Sequence, residues 1–273
     1  MSQRQTPADI SYTITVGVLV AIGILILVGP VIIVVVTSFT TSASLRFPPP
    51  GFSIRWYTAL FDPVASAPIH RAAGNSLWVA SLATVIGAMM SVLAALAITR
   101  VSRPSARALE ASFLSPLVLP TLSYGLASLM FFSMLGLRPN LNMLIAGHLV
   151  VIAPFIFRTT LASLTQLDPA LLECSSSLGA SRFYAFRRIT LPLIAPGIAA
   201  GSFLAFVASM DNVPVSLFLA TARTSMLPIR MWGMMETTLD VRIAAIAGVV
   251  IVTTLILMLV MDRLTGLTKR MSM

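Results

Sequence analysis

Long apolar stretches alternate with short polar ones along the whole chain. Crossing a ~30 Å hydrocarbon layer takes roughly 20 residues at about 1.5 Å rise each. Six stretches meet that length and predict helices at about 14–36, 76–98, 111–135, 141–161, 197–220 and 243–261. Pro30 lies in the first, and Pro116 and Pro120 both lie in the third. Prolines are tolerated in such spans because neighbouring helices can satisfy the freed carbonyls. Two in one span predict a kinked third helix that lines something other than lipid. The expected architecture is all-α: one polytopic domain over 1–273, its six-span core at about 14–263 and a polar loop at about 165–196.

Composition agrees with the pattern. The chain is 57% hydrophobic and 10% charged, against about 25% charged in soluble domains. Mean hydropathy is +0.95. The first stretch is too long for a signal-peptide core and reads as a retained span. The weakly basic start, Arg4 offset by Asp9, does not change this.

The net charge of +9 comes from basic residues scattered through short loops. No aromatic-basic platform for nucleic acid accompanies them. They set topology instead. Arg100, Arg103 and Arg107 follow span two; Arg182, Arg187 and Arg188 follow span four; Arg263, Lys269 and Arg270 follow span six. That side is predicted cytoplasmic, which puts both termini inside. The opposite side carries diluted arginines, including Arg46, Arg55, Arg71, Arg138, Arg223, Arg230 and Arg242. Its first loop, 38–73, has the helix-stopping run Phe47-Pro48-Pro49-Pro50-Gly51 and then Trp56-Tyr57, which opens a short amphipathic piece. A second outer loop, 221–242, holds Trp232 among Met231, Met234 and Met235. Both read as interfacial anchors or as docking surfaces. Cys174 is the chain's single cysteine. It forms no internal disulfide, and it reads as a small structural residue.

The loop between spans four and five has its own design. Asp168-Pro169 is a helix start, with aspartate as cap and proline in the first turn. Gly179 suits the position after a helix end, where the left-handed backbone favours glycine. Ser181 caps a second short helix, expected to run through Arg188. Pro192 and Pro196 are expected to break the chain before span five. The element is helix, glycine bend, helix. Cys174, Ser175, Ser176 and Ser177 are small enough for a partner surface to approach, and Glu173 offers that partner a charge.

Its spacing is specific: Glu173, five residues, Gly179, nine residues, Ile189, one residue, then Leu191-Pro192. This resembles the EAA loop of membrane subunits of binding-protein-dependent ABC importers. The similarity extends to Asn75-Ser76-Leu77, to Ser115-Pro116-Leu117-Val118-Leu119-Pro120, and to the run from Leu204 through Asp211-Asn212 to Ser216. Over nearly the whole chain these look like permeases of spermidine/putrescine-type ABC importers. Two departures stand out. The Glu-Ala-Ala of the family is Glu173-Cys174-Ser175 here. Where many polyamine-type members carry two adjacent acids, this chain has Asp211-Asn212. The wider family also resembles carriers of aminobutyrate-like, phosphonate and iron(III) solutes.

The resemblance implies a type I importer permease in a bacterial inner membrane, forming half of a solute pore. It implies an ATPase-coupling set of Glu173, Cys174, Ser175, Gly179, Ile189, Leu191 and Pro192. The implied partners are two ATP-binding cassette subunits, a second homologous permease and an extracytoplasmic solute-binding protein. ATP and magnesium would sit on the partners. The residues agree: the one lysine, Lys269, lies in no P-loop pattern. No catalytic or metal-ligating set is expected.

Asp211 is the one acid placed well inside a predicted span. A charge there marks a pathway or a structural partner. With Asn212 it is the candidate translocation-path pair, for a small cationic or zwitterionic solute such as a polyamine. His148 reads as a satisfied packing histidine. An ion-coupled secondary transporter, or a membrane assembly or signalling protein, are the alternative functions.

Overall fold

A helix apolar on every side has nothing to bury selectively, and lipid solvates it all round. The first element, α1 (Pro7–Ser38), is of this kind, with Leu25, Ile26 and Leu27 at 71, 67 and 76% exposure. The computed structural model describes residues 7–238 and 240–265. Arg4, Lys269 and Arg270 lie outside the described residues. Among the described residues the chain is helical, with one isolated bridge between Thr40 and Phe52.

The chain forms two compact units. The smaller comprises 1–66 and 234–252. In it, α1 is followed by the short α2 (Arg55–Leu60). Ser38 Oγ and Tyr57 Oη share a 2.7 Å hydrogen bond, and the Phe39 and Tyr57 rings lie 5.1 Å apart. The Arg55 guanidinium covers the Trp56 ring at 4.3 Å. Asp240 accepts from Arg242 Nε at 2.8 Å and Nη2 at 2.6 Å.

The larger unit comprises 67–233 and 253–273. It is built on α3 (Ala67–Ile98), α6 (Leu141–Thr165) and α9 (Leu191–Met210). Small residues at helical spacing make one face of α3 narrow: Ala72, Ser76, Ala80, Ala83, Gly87, Ser91 and Ala95 are all buried. Such faces let membrane helices approach closely. On α9 the same device is Gly197 and Gly201. A side chain on Gly201 would run into Thr159 and the Ile156 backbone, and one on Gly197 into Ser163. Val79, Leu144, Ile152, Ile156, Ala205 and Leu219 fill the shared core.

Among the described residues, five helices are long and apolar enough to cross a membrane: Ser11–Ser38, Ala67–Ile98, Leu141–Thr165, Arg182–Met210 and Arg242–Arg263. A sixth exists only if a bent pair counts as one span, and this corrects the expected third helix. α4 (Arg103–Leu114), extended by a 3-10 turn at Ser115–Leu117, meets α5 (Thr121–Met134) at 102°. The two prolines produce a sharp break where a kink was expected. Arg103 and Arg107 therefore sit on a helix, not in a loop. The outer segment 221–242 also contains a helix, α11 (Leu227–Thr237), before the last element, α12 (Arg242–Thr265).

Candidate functional site

The loop after α6 is organised by local backbone chemistry. Asp168 Oδ1 accepts the Ala170 N–H at 2.9 Å and starts α7 (Pro169–Ser177). The helix ends in a Schellman motif: Ala180 N–H bonds Ser175 O, and Gly179 N–H bonds Ser176 O, each at 3.0 Å. Gly179 has φ +79°, the conformation that glycine adopts without strain. The hydroxyls of Ser176 and Ser177 fold back onto the carbonyls of Leu172 and Glu173. Ser181 Oγ then accepts the Tyr184 N–H at 3.2 Å and starts α8 (Arg182–Ala185).

Beyond α8 the chain does not break as expected. A π-helical turn, Phe186–Thr190, joins α8 directly to α9, so one helical segment runs over Arg182–Met210. Pro192 falls in the first turn of α9, and Pro196 lies inside that helix. The span therefore begins well before residue 197.

Of the loop residues singled out in the sequence, Glu173, Cys174, Gly179 and Pro192 are exposed, Ile189 and Leu191 are half-buried, and Ser175 is buried. The structure adds apolar residues that the spacing did not single out. Leu171, Leu172, Leu178, Phe183 and Tyr184 are exposed, Leu178 by 88% and Phe183 by 71%. These residues lie close in the chain to Glu173 and Arg182, which are also exposed.

Asp211 is not in the middle of a span. It closes α9, and Asn212 opens α10 (Val213–Leu219), accepting the Val215 N–H through its side chain at 3.0 Å. Asp211 is exposed and Asn212 is buried. The break itself is bridged by His148 of α6. Its Nδ1 lies 2.8 Å from Ser209 Oγ, before the break, and its Nε2 lies 3.1 Å from Ser216 Oγ, after it. All three residues are buried. His148 is thus satisfied at both nitrogens. The sequence signal was a lone histidine in an apolar run, and its serine partners could not be found by spacing.

Residues 77–270 match the family described as "binding-protein-dependent transport system inner membrane component". The chain is 29% identical over 231 residues to the spermidine/putrescine transport system permease protein PotC of Escherichia coli (strain K12), covering 84% of this chain and 86% of that protein. It is 28% identical over 229 residues to the putrescine transport system permease protein PotI of the same strain, covering 81% and 80%. A solved bacterial ABC transporter involved in the import of the acidic polysaccharide alginate shares the fold. It superposes with a TM-score of 0.73 at 20% identity, over 95% of this chain and 97% of that one.

Proposed function

The chain belongs to the family of binding-protein-dependent transport system inner membrane components, and from that premise we propose that its exposed helix-glycine-helix loop is where a separate ATPase drives solute import. The chain is a membrane-spanning permease subunit of an ABC importer, which sets aside the secondary-transporter and assembly-protein alternatives. The observation that supports the coupling role is the set of exposed apolar residues in the loop, Leu171, Leu172, Leu178 and Phe183, on either side of the turn at Gly179. Glu173, Cys174, Ser175, Ile189, Leu191 and Pro192 complete the coupling set.

In this reading two ATP-binding cassette subunits hold ATP and magnesium, and this chain does no hydrolysis. A second homologous permease completes the pore, and a binding protein delivers the solute from outside. The solute is small and cationic or zwitterionic. The names of the polyamine relatives and the exposed Asp211 carboxylate support that class.

Gly179→Val tests the coupling. The chain should still insert but lose co-purification with its ATPase, because a β-branched residue is strained at φ +79°. Full stoichiometry and full solute-stimulated ATP hydrolysis in the variant complex would refute the role. Orientation is tested with single cysteines at Arg187 and Trp56 in a Cys174→Ser background, using an impermeant thiol reagent on intact cells. Label should reach position 56 only; label at 187 and not at 56 reverses the topology.

A further inference from the structure

A cavity of about 410 Å³ lies within the larger unit, between the start of α3, α10 and the segment leading into α11. That size falls within the roughly 300–1,000 Å³ of small-molecule pockets. Arg71 and Arg230 both line it, together with Thr221 and Ser225. Among the described residues, no carboxylate lines this space and none pairs with either arginine.

Two like charges in one cavity repel each other unless something offsets them. Here the walls are held by other bonds. Asn75 Nδ2 donates to the carbonyls of Ser225 at 3.0 Å and Arg223 at 3.4 Å. The Leu227 N–H donates to Ser76 Oγ at 2.8 Å. Thr221 and Thr224 share a 2.9 Å hydroxyl bond. The segment carrying Arg230 is therefore fixed to the helix carrying Arg71 without using either guanidinium. Both arginines are exposed at the cavity and take no part in these bonds, and the planar donor fork of a guanidinium matches a carboxylate.

The geometry points to this cavity as the receiving site for the carboxylate of the transported solute. The inference rests on the importer reading above and narrows its solute class from cation-or-zwitterion to zwitterion.

The test places one thiol in the wall, Ser225→Cys with Cys174→Ser, in the complex reconstituted in nanodiscs without ATP. A sulfonate-bearing thiosulfonate reagent should react about tenfold faster than its trimethylammonium counterpart, as local steering predicts. The preference should fall at high salt, and it should vanish in Arg71→Gln/Arg230→Gln. The salt dependence gives the same reading if that double variant fails to fold. 4-Aminobutyrate should slow the labelling. Putrescine, of matching chain length but with an ammonium in place of the carboxylate, should not.

Equal reagent rates overturn the proposal, as does protection by putrescine alone or by neither compound. Slowing only in nanodiscs that contain phosphatidylglycerol, with 4-aminobutyrate inert, assigns the arginines to lipid phosphate and overturns it too. A complex that fails here yet keeps its ATPase leaves the importer reading standing.

Discussion

His148 Nδ1 lies 2.8 Å from Ser209 Oγ in the buried interior of the larger unit, and the same ring reaches Ser216 on the far side of the α9–α10 break. A neutral imidazole has one donor and one acceptor nitrogen, and a hydroxyl can serve either. The ring therefore satisfies both serines at once and fixes how α10 leaves α9.

Removing the ring leaves two buried hydroxyls without it. His148→Leu should destabilise the folded chain by about 1–3 kcal/mol, and Ser209→Ala by less. Thermal unfolding of the purified protein in detergent reads this. An unchanged midpoint in His148→Leu would mean the triad contributes nothing.

Gly201, like Gly197, lies where α9 packs tightly against α6. Gly201→Ala puts a methyl against Thr159 and the Ile156 backbone, so it should cost about 1–3 kcal/mol by overpacking. Gly201→Leu should abolish monodisperse yield. Gly74→Ala is the control, since a side chain there meets nothing within 4 Å. Equal yields for the alanine variants at 74 and 201 would contradict the close-packing account.

Asp240 supplies a pH test. Partial burial pushes its carboxyl up, but the side-chain bonds, backbone bond and charge of Arg242 together outweigh that and hold it below the ordinary value of 3.8. A carboxyl depressed in the folded state stabilises above its unfolded pKa, and that contribution fades as pH falls through the folded one. Asp240→Asn should therefore lower the unfolding midpoint at neutral pH, with the gap from the parent narrowing below about pH 4. A gap that stays constant with pH would exclude this ion pair as a source of stability.

Asp211 and Asn212 should separate cleanly. Asp211→Asn removes a charge from an exposed carboxylate and leaves the Asn212 cap intact, so assembly should survive while uptake in vesicles falls sharply. Asn212→Ala removes the cap of α10 and should cost stability, about 1 kcal/mol. Near-normal uptake by Asp211→Asn would remove the carboxylate from the translocation path.

Local chemistry was readable and packing was not. Asp168, Gly179 and Ser181 each act on backbone groups within a few residues, so their caps and bend followed from the order of residues alone. The turn at 118–120 did not. Pro116 and Pro120 announce an interruption, but the 102° angle depends on what the flanking helices meet. Phe113 stacks on Phe157 of α6 at 4.7 Å, and Gly125 of α5 approaches the Pro214 carbonyl of α10. Hydropathy averaging also hid the end of α9, because apolar residues continue past Asp211. The Asn212-Val213-Pro214 order is a helix-start signal that the averaging masked. Pro192 and Pro196 misled in the other direction: both lie within a helix that continues directly from a π turn.

The unbroken run over Arg182–Met210 makes the end of the loop and the fifth span a single rod. Its 29 residues extend about 43 Å at ~1.5 Å each. A tilt of about 5° of the whole segment sweeps its far end by roughly 4 Å, the width of a small side chain, less whatever the π turn and Pro196 absorb. The rod's far tip is Met210, next to Asp211 and the serine pair held by His148. On the importer reading proposed above, leverage of this kind would turn a slight rocking at one membrane face into a displacement of several ångströms at the other.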